Sequence, residues 1–363
     1  MAKYNSSILC GFDIQTALGT YNASLAGIEA AGTWGGDIEG TDEGLLAGDA
    51  DTGINGSGLT LTLGRQGKEQ TVVGSSFTRP LSAYELTTVD SFQFKGSFGG
   101  SQRLTTVTTP VDADFAHLVG LDAILRSWGF VSNTTSLSPG VQYRTGNSVE
   151  YLSFLGFVNG NEFQFQDCVP NSIVFEFVAG QIPTYTVDVA VGVVVMPSSS
   201  TPPTPPTYPT ADYGSQLTVT PAKVENVGHS WNHTRGFSTL TITCTNTVDE
   251  DPDSNADEGR VLGISAQEIK VAATMYDDDS STNEGYTASQ LQAASSGELD
   301  SMSFQVGTTA DGTSSPAQAI GITVPQPELV TATPTTIGRY SGYDIEVIAR
   351  HSTANRAIDI DFV

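Results

Sequence analysis

The sequence predicts an all-β protein with one or two short flanking helices, arranged as tandem β-sandwich or barrel domains. Three observations carry that expectation. Apolar and polar residues alternate in many short segments, at the period of two that a half-buried strand requires. Glycine, serine and threonine are abundant, with 38 glycines in 363 residues, and long helical patterns are nearly absent. A proline-rich stretch, SSSTPPTPPTYPT (198–210), separates two strand-rich halves.

Taken in order, residues 1–58 place many glycines beside many carboxylates, as in GTWGGDIEGTDEGLLAGDADTGINGSG. That is loop chemistry, so this region is expected to be a long arm or a set of loops. GLTLTLGRQG (58–67) reads as a strand with Leu59, Leu61 and Leu63 on one face, and TVVGSSF (71–77) is expected to pair with it across Gly67. SFQFKGSFGG (91–100) is another strand. A helix follows: Phe115, Leu118, Leu121, Leu125 and Trp128 form its apolar stripe, Asp112 or Asp114 is its N-cap, and Gly129 its C-cap.

The period then changes to two. Phe154, Gly156 and Val158 alternate against Leu155 and Phe157, and Asn159-Gly160 is a two-residue hairpin signal. Phe163 and Phe165 share a face. Pro170-Asn171 sits where a bulge or corner belongs, and Val174 and Glu176 lie opposite Ile173, Phe175 and Phe177. Ala179-Gly180 is a second turn, and Tyr185 to Val195 reads as one strand with Val187, Val189, Val191, Val193 and Val195 on one face.

The expected division is a β domain over 1–197, carrying the Gly/Asp-rich arm (1–58), a linker over 198–210, and a second β domain over 211–363. In the second half Leu217, Val219, Leu240, Ile242 and Cys244 mark strands, EIKVAATMYD (268–277) alternates, and TASQLQAASSGEL (287–299) is a candidate short helix. SMSFQV, AIGITVP, YDIEVIARH and AIDIDFV complete the strands. The recurring order of strands, short helix and more strands suggests a duplicated domain, at low identity between the halves.

Charge bounds the function. With 15 basic and 40 acidic residues the net charge is −25. The first 197 residues hold 8 basic and 19 acidic (−11), the remainder 7 and 21 (−14). Such a surface argues against a duplex-binding protein, which neutralises phosphates with Lys and Arg. It fits both a surface that repels nucleic acid and an acidic surface that serves solubility. Cys10, Cys168 and Cys244 are odd in number and far apart, as expected of small buried residues in a reducing compartment. MAKYNSSILCGF has no apolar leader segment, and the run near Val187–Met196 is too short to span a bilayer. The expectation is a soluble chain made in the cytoplasm.

Few residues point to chemistry. His229 and His233 stand four apart, but between Gly228 and Gly236 they read as a turn, with no Glu after the first His. VDEDPDSNADEG (248–259) carries Asp249, Asp251, Asp253 and Asp257. Counted from Asp249, however, the sixth and twelfth positions are Ser254 and Arg260, where a calcium loop needs Gly and Glu. Asp277, Asp278 and Asp279 form a bare acidic turn. There is no nucleophile elbow or phosphate loop. No catalytic, cofactor or metal residue is therefore assigned, and the chain is expected not to be an enzyme.

LDAILRSWGF (121–130), VNGNEFQF (158–165) and NSIVFEFVAGQIPTYTVDV (171–189), continuing to Pro197, resemble the tail tube (major tail) proteins of long-tailed bacteriophages. GYDIEVIARHSTANRAIDIDFV (342–363) is similar more weakly. The resemblance covers about a fifth of the chain well and rests on the order of elements. It implies a β-sandwich or barrel flanked by a helix, six such domains forming a ring with a continuous inner sheet, and rings stacked into the virion's tube for genome ejection, bridged by long loops and arms. It also implies partners: further copies of the chain, a tape measure protein, a tail terminator, and DNA passing without specific binding. A duplicated chain would make a trimeric ring with pseudo-sixfold symmetry; otherwise the ring is a hexamer. The competing reading is a non-enzymatic β-sandwich binding module, a virion decoration or cell-surface adhesin, on a Pro/Thr spacer.

Overall fold

The computed structural model describes residues 8–15, 17–20, 44–47, 60–65, 87–97, 121–133, 141–146, 148–158, 161–179, 181, 184–195, 237–251, 261–276, 302–308, 318–351 and 356–362. Among them the chain is all-β: seventeen strands, every pairing antiparallel, and one helix.

The strands are β1 (Ile8–Ile14), β2 (Gly44–Ala47), β3 (Thr60–Arg65), β4 (Thr87–Ser97), β5 (Phe130–Asn133), β6 (Val141–Thr145), β7 (Leu152–Val158), β8 (Asn161–Val178), β9 (Thr184–Ala190) and β10 (Val193–Val195). Beyond the proline-rich segment come β11 (Phe237–Asp251), β12 (Val261–Tyr276), β13 (Met302–Thr308), β14 (Gln318–Val324), β15 (Pro327–Ile337), β16 (Tyr340–Ala349) and β17 (Asp359–Phe362). The helix α1 is Leu121–Trp128.

One strand, β8, joins the two arms of the larger sheet. The first half of β8 pairs with β7 and β10, and β7 continues to β1 and β2. Its second half pairs with β9 on one side and β11 on the other. The resulting eight-strand run has the order β3–β4–β9–β8–β11–β12–β16–β15. A second sheet, β13–β14–β17–β6–β5, lies against it. Both sheets therefore draw strands from before and after residues 198–210: β8 meets β11, and β6 meets β17.

The two layers enclose one apolar core. Ile173, Phe175, Phe177, Ile242 and Val271 of the large sheet share it with Tyr143, Ile320, Ile322 and Ile360 of the small one. The Phe237 and Phe304 rings bridge the layers edge to face at 5.9 Å. Helix α1 fills one end, with Ile124, Leu125 and Trp128 fully buried.

The helix stops where expected. Gly129 adopts φ 116°, its N–H donates to the Leu125 and Arg126 carbonyls at 3.1 Å, and its carbonyl accepts from Gly146 N–H at 2.8 Å. The Gln267 side-chain amide donates to the Trp128 carbonyl at 2.6 Å, tying the helix end to β12. A Cβ at position 129 would stand 2.7 Å from that amide, so the site admits glycine alone without displacing Gln267. The expected caps Asp112 and Asp114, with Phe115 and Leu118, lie outside the described residues, as do the strand 71–77 and the helix 287–299.

Several expectations need correction. Residues 1–58 are not loop alone. β1 sits inside the sheet between β7 and β2, and Phe12 is fully buried against Phe154, with ring centroids 5.4 Å apart. The alternation ILCGFDI was present but short, and the glycine-rich stretch after it dominated the composition. β3 pairs with β4, and its expected partner 71–77 lies outside the described residues. Tyr185–Val195 is two strands: β9 ends at Ala190, and β10 pairs with the first half of β8. The break coincides with Asp167, whose φ of 54° makes it the extra residue where β8 bends. Asp167 also holds the turn after β1: its carboxylate accepts from Gly19 N–H at 2.8 Å, and its own N–H donates to Gln15 at 3.0 Å.

Other expectations hold. The extra residue Asn171 forms a bulge beside Pro170, and Ile173, Phe175 and Phe177 face the core. Val158 opposes Asn161 across the expected hairpin, whose turn residues 159 and 160 are outside the described residues.

Candidate functional site

The eight-strand run consists of two four-strand units placed edge to edge. Each is built from two hairpins in the same spatial order: β3–β4–β9–β8, then β11–β12–β16–β15. The register repeats as well. The transverse row Thr60–Gln93–Asp188–Ser172 in the first unit corresponds to Thr241–Ala272–Glu346–Thr331 in the second. Leu61–Phe92–Val189–Pro170 corresponds to Ile242–Val271–Val347–Leu329, and Thr62–Ser91–Ala190–Val169 to Thr243–Lys270–Ile348–Glu328. Both units carry a one-residue bulge at the same place, Asn171 in β8 and Val330 in β15.

The face turned away from the core is hydroxyl-rich. β11 presents Thr239, Thr241, Thr243 and Thr245 there, alternating with buried Leu240, Ile242 and Cys244. Around this central row stand Ser172, Thr184, Thr186, Thr274, Thr331 and Thr333. From β9 to β15 this face carries the carboxylates Asp188, Glu176, Glu268, Asp344, Glu346 and Glu328 against two cations, Lys270 and Arg350. Each cation is held: Lys270 Nζ is 3.2 Å from Glu268, and the Arg350 guanidinium pairs with Glu328. That guanidinium keeps the Glu328 carboxyl below the usual carboxylate range, chiefly through its hydrogen bond. A polyanion meeting this face encounters more carboxylates than cations, together with hydroxyls.

The small sheet's outer face carries a denser polar network. Asp359, 3% exposed, accepts from Arg356 Nε at 3.0 Å, while Arg144 Nε stands 4.0 Å away. Asp361 accepts from Gln142 at 2.7 Å. Burial raises the Asp361 carboxyl pKa, opposed by the Gln142 hydrogen bond and by Arg144 and Arg356; burial likewise raises Asp188. A carboxyl whose pKa is higher folded than unfolded favours folding most below its unfolded pKa, and that contribution is lost as pH rises through the folded value. Asp361→Asn, which keeps an oxygen for Gln142, is therefore expected to raise the melting temperature at pH 7, with the gain shrinking as pH falls through the carboxylate range. Calorimetry from pH 7 to pH 3 checks this; a gain constant with pH contradicts it.

The residues weighed for chemistry are not brought together. Cys168 and Cys244 are free, buried core residues on β8 and β11, and Cys10 lies on β1. Asp249 and Asp251 end β11. His229, His233, Asp253, Asp257 and Asp277 to Asp279 lie outside the described residues. Among the described residues no group of His, Cys, Asp or Glu is arranged to hold a metal ion, and no helix is long and apolar enough to cross a membrane.

No protein-family model matches the chain, and no curated protein sequence matches it.

Proposed function

We propose that the chain is a structural protein that self-assembles into stacked rings, of the type that forms a bacteriophage tail tube and conducts the genome into the host. The observation that carries this reading is the repeated four-strand unit. Two equivalent units stand side by side in one sheet in one register, and each offers its neighbour the same kind of edge. A unit that already joins a copy of itself by sheet continuation is built to continue the series, and a closed ring disposes of the edges that an open sheet leaves exposed.

The outer face supports the same reading. From β9 to β15, threonine hydroxyls, six carboxylates and two ion-paired cations suit a wall past which DNA slides without adhering, because binding needs cations free to replace the counterions of phosphate; Lys95 of β4, in register with Thr186, lies outside that span. In this reading the face lines the channel, three chains supply six units to a ring, and the glycine- and carboxylate-rich residues near the N-terminus reach neighbouring rings. The further partners are a tape measure protein and a tail terminator, and the assembled protein resides in the virion.

Electron microscopy of concentrated protein tests it. The expected result is tubes of stacked rings with three chains and pseudo-sixfold symmetry per ring. A strict ring of six chains removes the duplication from the proposal. A monodisperse monomer across salt and protein concentration, together with absence from purified virions, removes the proposal itself.

A further inference from the structure

The internal contact between the two units specifies a contact between molecules. At the internal seam β8 pairs with β11, setting Ile173 opposite Cys244, Val174 opposite Thr243, Phe175 opposite Ile242 and Glu176 opposite Thr241. β15 occupies in the second unit the place of β8 in the first, and β3 the place of β11. Among the described residues β15 pairs with β16 alone and β3 with β4 alone, so within those residues neither end of the eight-strand run has a further partner.

From this repeat we infer that β15 of one molecule pairs with β3 of a second copy, in the register of the internal seam. Thr331 then faces Gly64, Ala332 faces Leu63, Thr333 faces Thr62, Pro334 faces Leu61 and Thr335 faces Thr60. The inference deepens the self-assembly reading and rests on its premise that the partner is another copy of this chain.

The two seams differ in one respect that the backbone makes visible. Antiparallel neighbours alternate between pairs that exchange both backbone bonds and pairs that exchange none. Ala179 N–H donates to the Ser238 carbonyl at 2.9 Å, one step beyond the Val178–Thr239 pair. The bonded pairs of the internal seam are therefore Phe177–Leu240, Phe175–Ile242 and Ile173–Cys244. On β15 the phase is fixed in the same way. Arg350 N–H donates to the Gln326 carbonyl at 2.9 Å, one step beyond the Pro327–Ala349 pair. Pro327 and Leu329, and past the bulge Ala332, Pro334 and Thr336, thus turn their backbone groups away from β16 toward the open edge. Pro334 stands where Phe175 stands in the internal seam, and proline has no N–H to give. The seam between molecules is the internal seam short of its central donor. It is weaker than the contact inside each chain, which lets whole molecules fold first and associate second.

Disulfide trapping tests the register in the full-length protein. Thr333 and Thr62 form a non-bonded pair in the inferred seam, where Cα atoms approach to about 4.5 Å, within reach of a disulfide. Ile337 lies four residues along, about 13 Å away at the strand rise. Mixing Thr62→Cys protein with Thr333→Cys protein under oxidising conditions is expected to give a cross-linked dimer, and mixing Thr62→Cys with Ile337→Cys is not. Pro334→Thr restores the missing donor and is expected to lower the concentration at which the protein associates by about threefold to tenfold. Equal cross-linking in both mixtures, or none in either while sedimentation shows association, overturns the seam and leaves self-assembly standing. An association concentration unchanged by Pro334→Thr overturns the missing-donor argument. Absence of association under every condition overturns the self-assembly reading, and the seam with it.

Discussion

Phe175→Pro is expected to abolish the cooperative fold. Phe175 is 2% exposed, and its backbone exchanges both bonds with Ile242 at the centre of the internal seam. Removing the buried ring costs about 3–5 kcal/mol, and a proline inside a ladder removes a hydrogen bond and leaves a buried carbonyl without its donor, at about 1–3 kcal/mol. The sum, about 4–8 kcal/mol, is comparable to the whole stability of an ordinary domain. The informative comparison is with its counterpart: Pro334 is native at the equivalent place on β15. Pro334→Phe, at an open edge, is expected to leave the melting temperature of dilute protein within a few degrees of wild type. Calorimetry of the two variants side by side checks the equivalence. A cooperative, wild-type-like transition for Phe175→Pro would contradict it.

Trp128→Ala carries the second large effect. The indole is fully buried at the end of α1, against Phe130 with centroids 4.9 Å apart, and the Trp128 carbonyl accepts from Gln267 and, at 3.4 Å, from Asn246. Asn246 also donates to the Pro170 carbonyl at 2.9 Å, so the helix end and the bulged turn of β8 are fastened to the same side chain on β11. Truncating the indole leaves a large cavity under this junction, at a cost of about 3–5 kcal/mol. Its Nε1 has no hydrogen-bond partner among the described residues, so Trp128→Phe loses volume without losing a bond and is expected to cost under about 2 kcal/mol. Urea unfolding of the two variants separates these outcomes, and equal costs would show that the ring's size is not what the site uses.

Much of the sheet was legible in the amino-acid order because one face is apolar and the other is not. β8, β9, β11 and β16 announce themselves by strict alternation, and the α1 stop by glycine after tryptophan. The N-terminal strand was obscured because seven patterned residues precede a long glycine- and carboxylate-rich stretch. The division of β9 from β10 was invisible because all five valines keep the right period. What divides them is the bend of β8 at Asp167, a long-range event with no local mark. The repeat was legible as a recurring order of elements, but its register was not. Equivalence between the units lies in which residues stand opposite one another, and pairing is not written in a linear string. Its traces are short: Leu-Thr-Leu-Thr at 59–62 against Leu-Thr-Ile-Thr at 240–243, and Tyr-Thr-Val-Asp-Val at 185–189 against Tyr-Asp-Ile-Glu-Val at 343–347. Each is too brief to be distinguished from ordinary strand composition until the registers place it. The threonine row on β11 was equally plain as text, yet its surroundings, drawn from five other strands, were not.

The eighteen residues of β8 have a mechanical consequence. Along its length this strand is flanked by β7 and β10, then by β9 and β11, so a pull directed along its axis strains many hydrogen bonds at once instead of opening them one after another. Tension entering through the N-terminal strands would pass by this route into the C-terminal half as shear, the direction in which a ladder yields last.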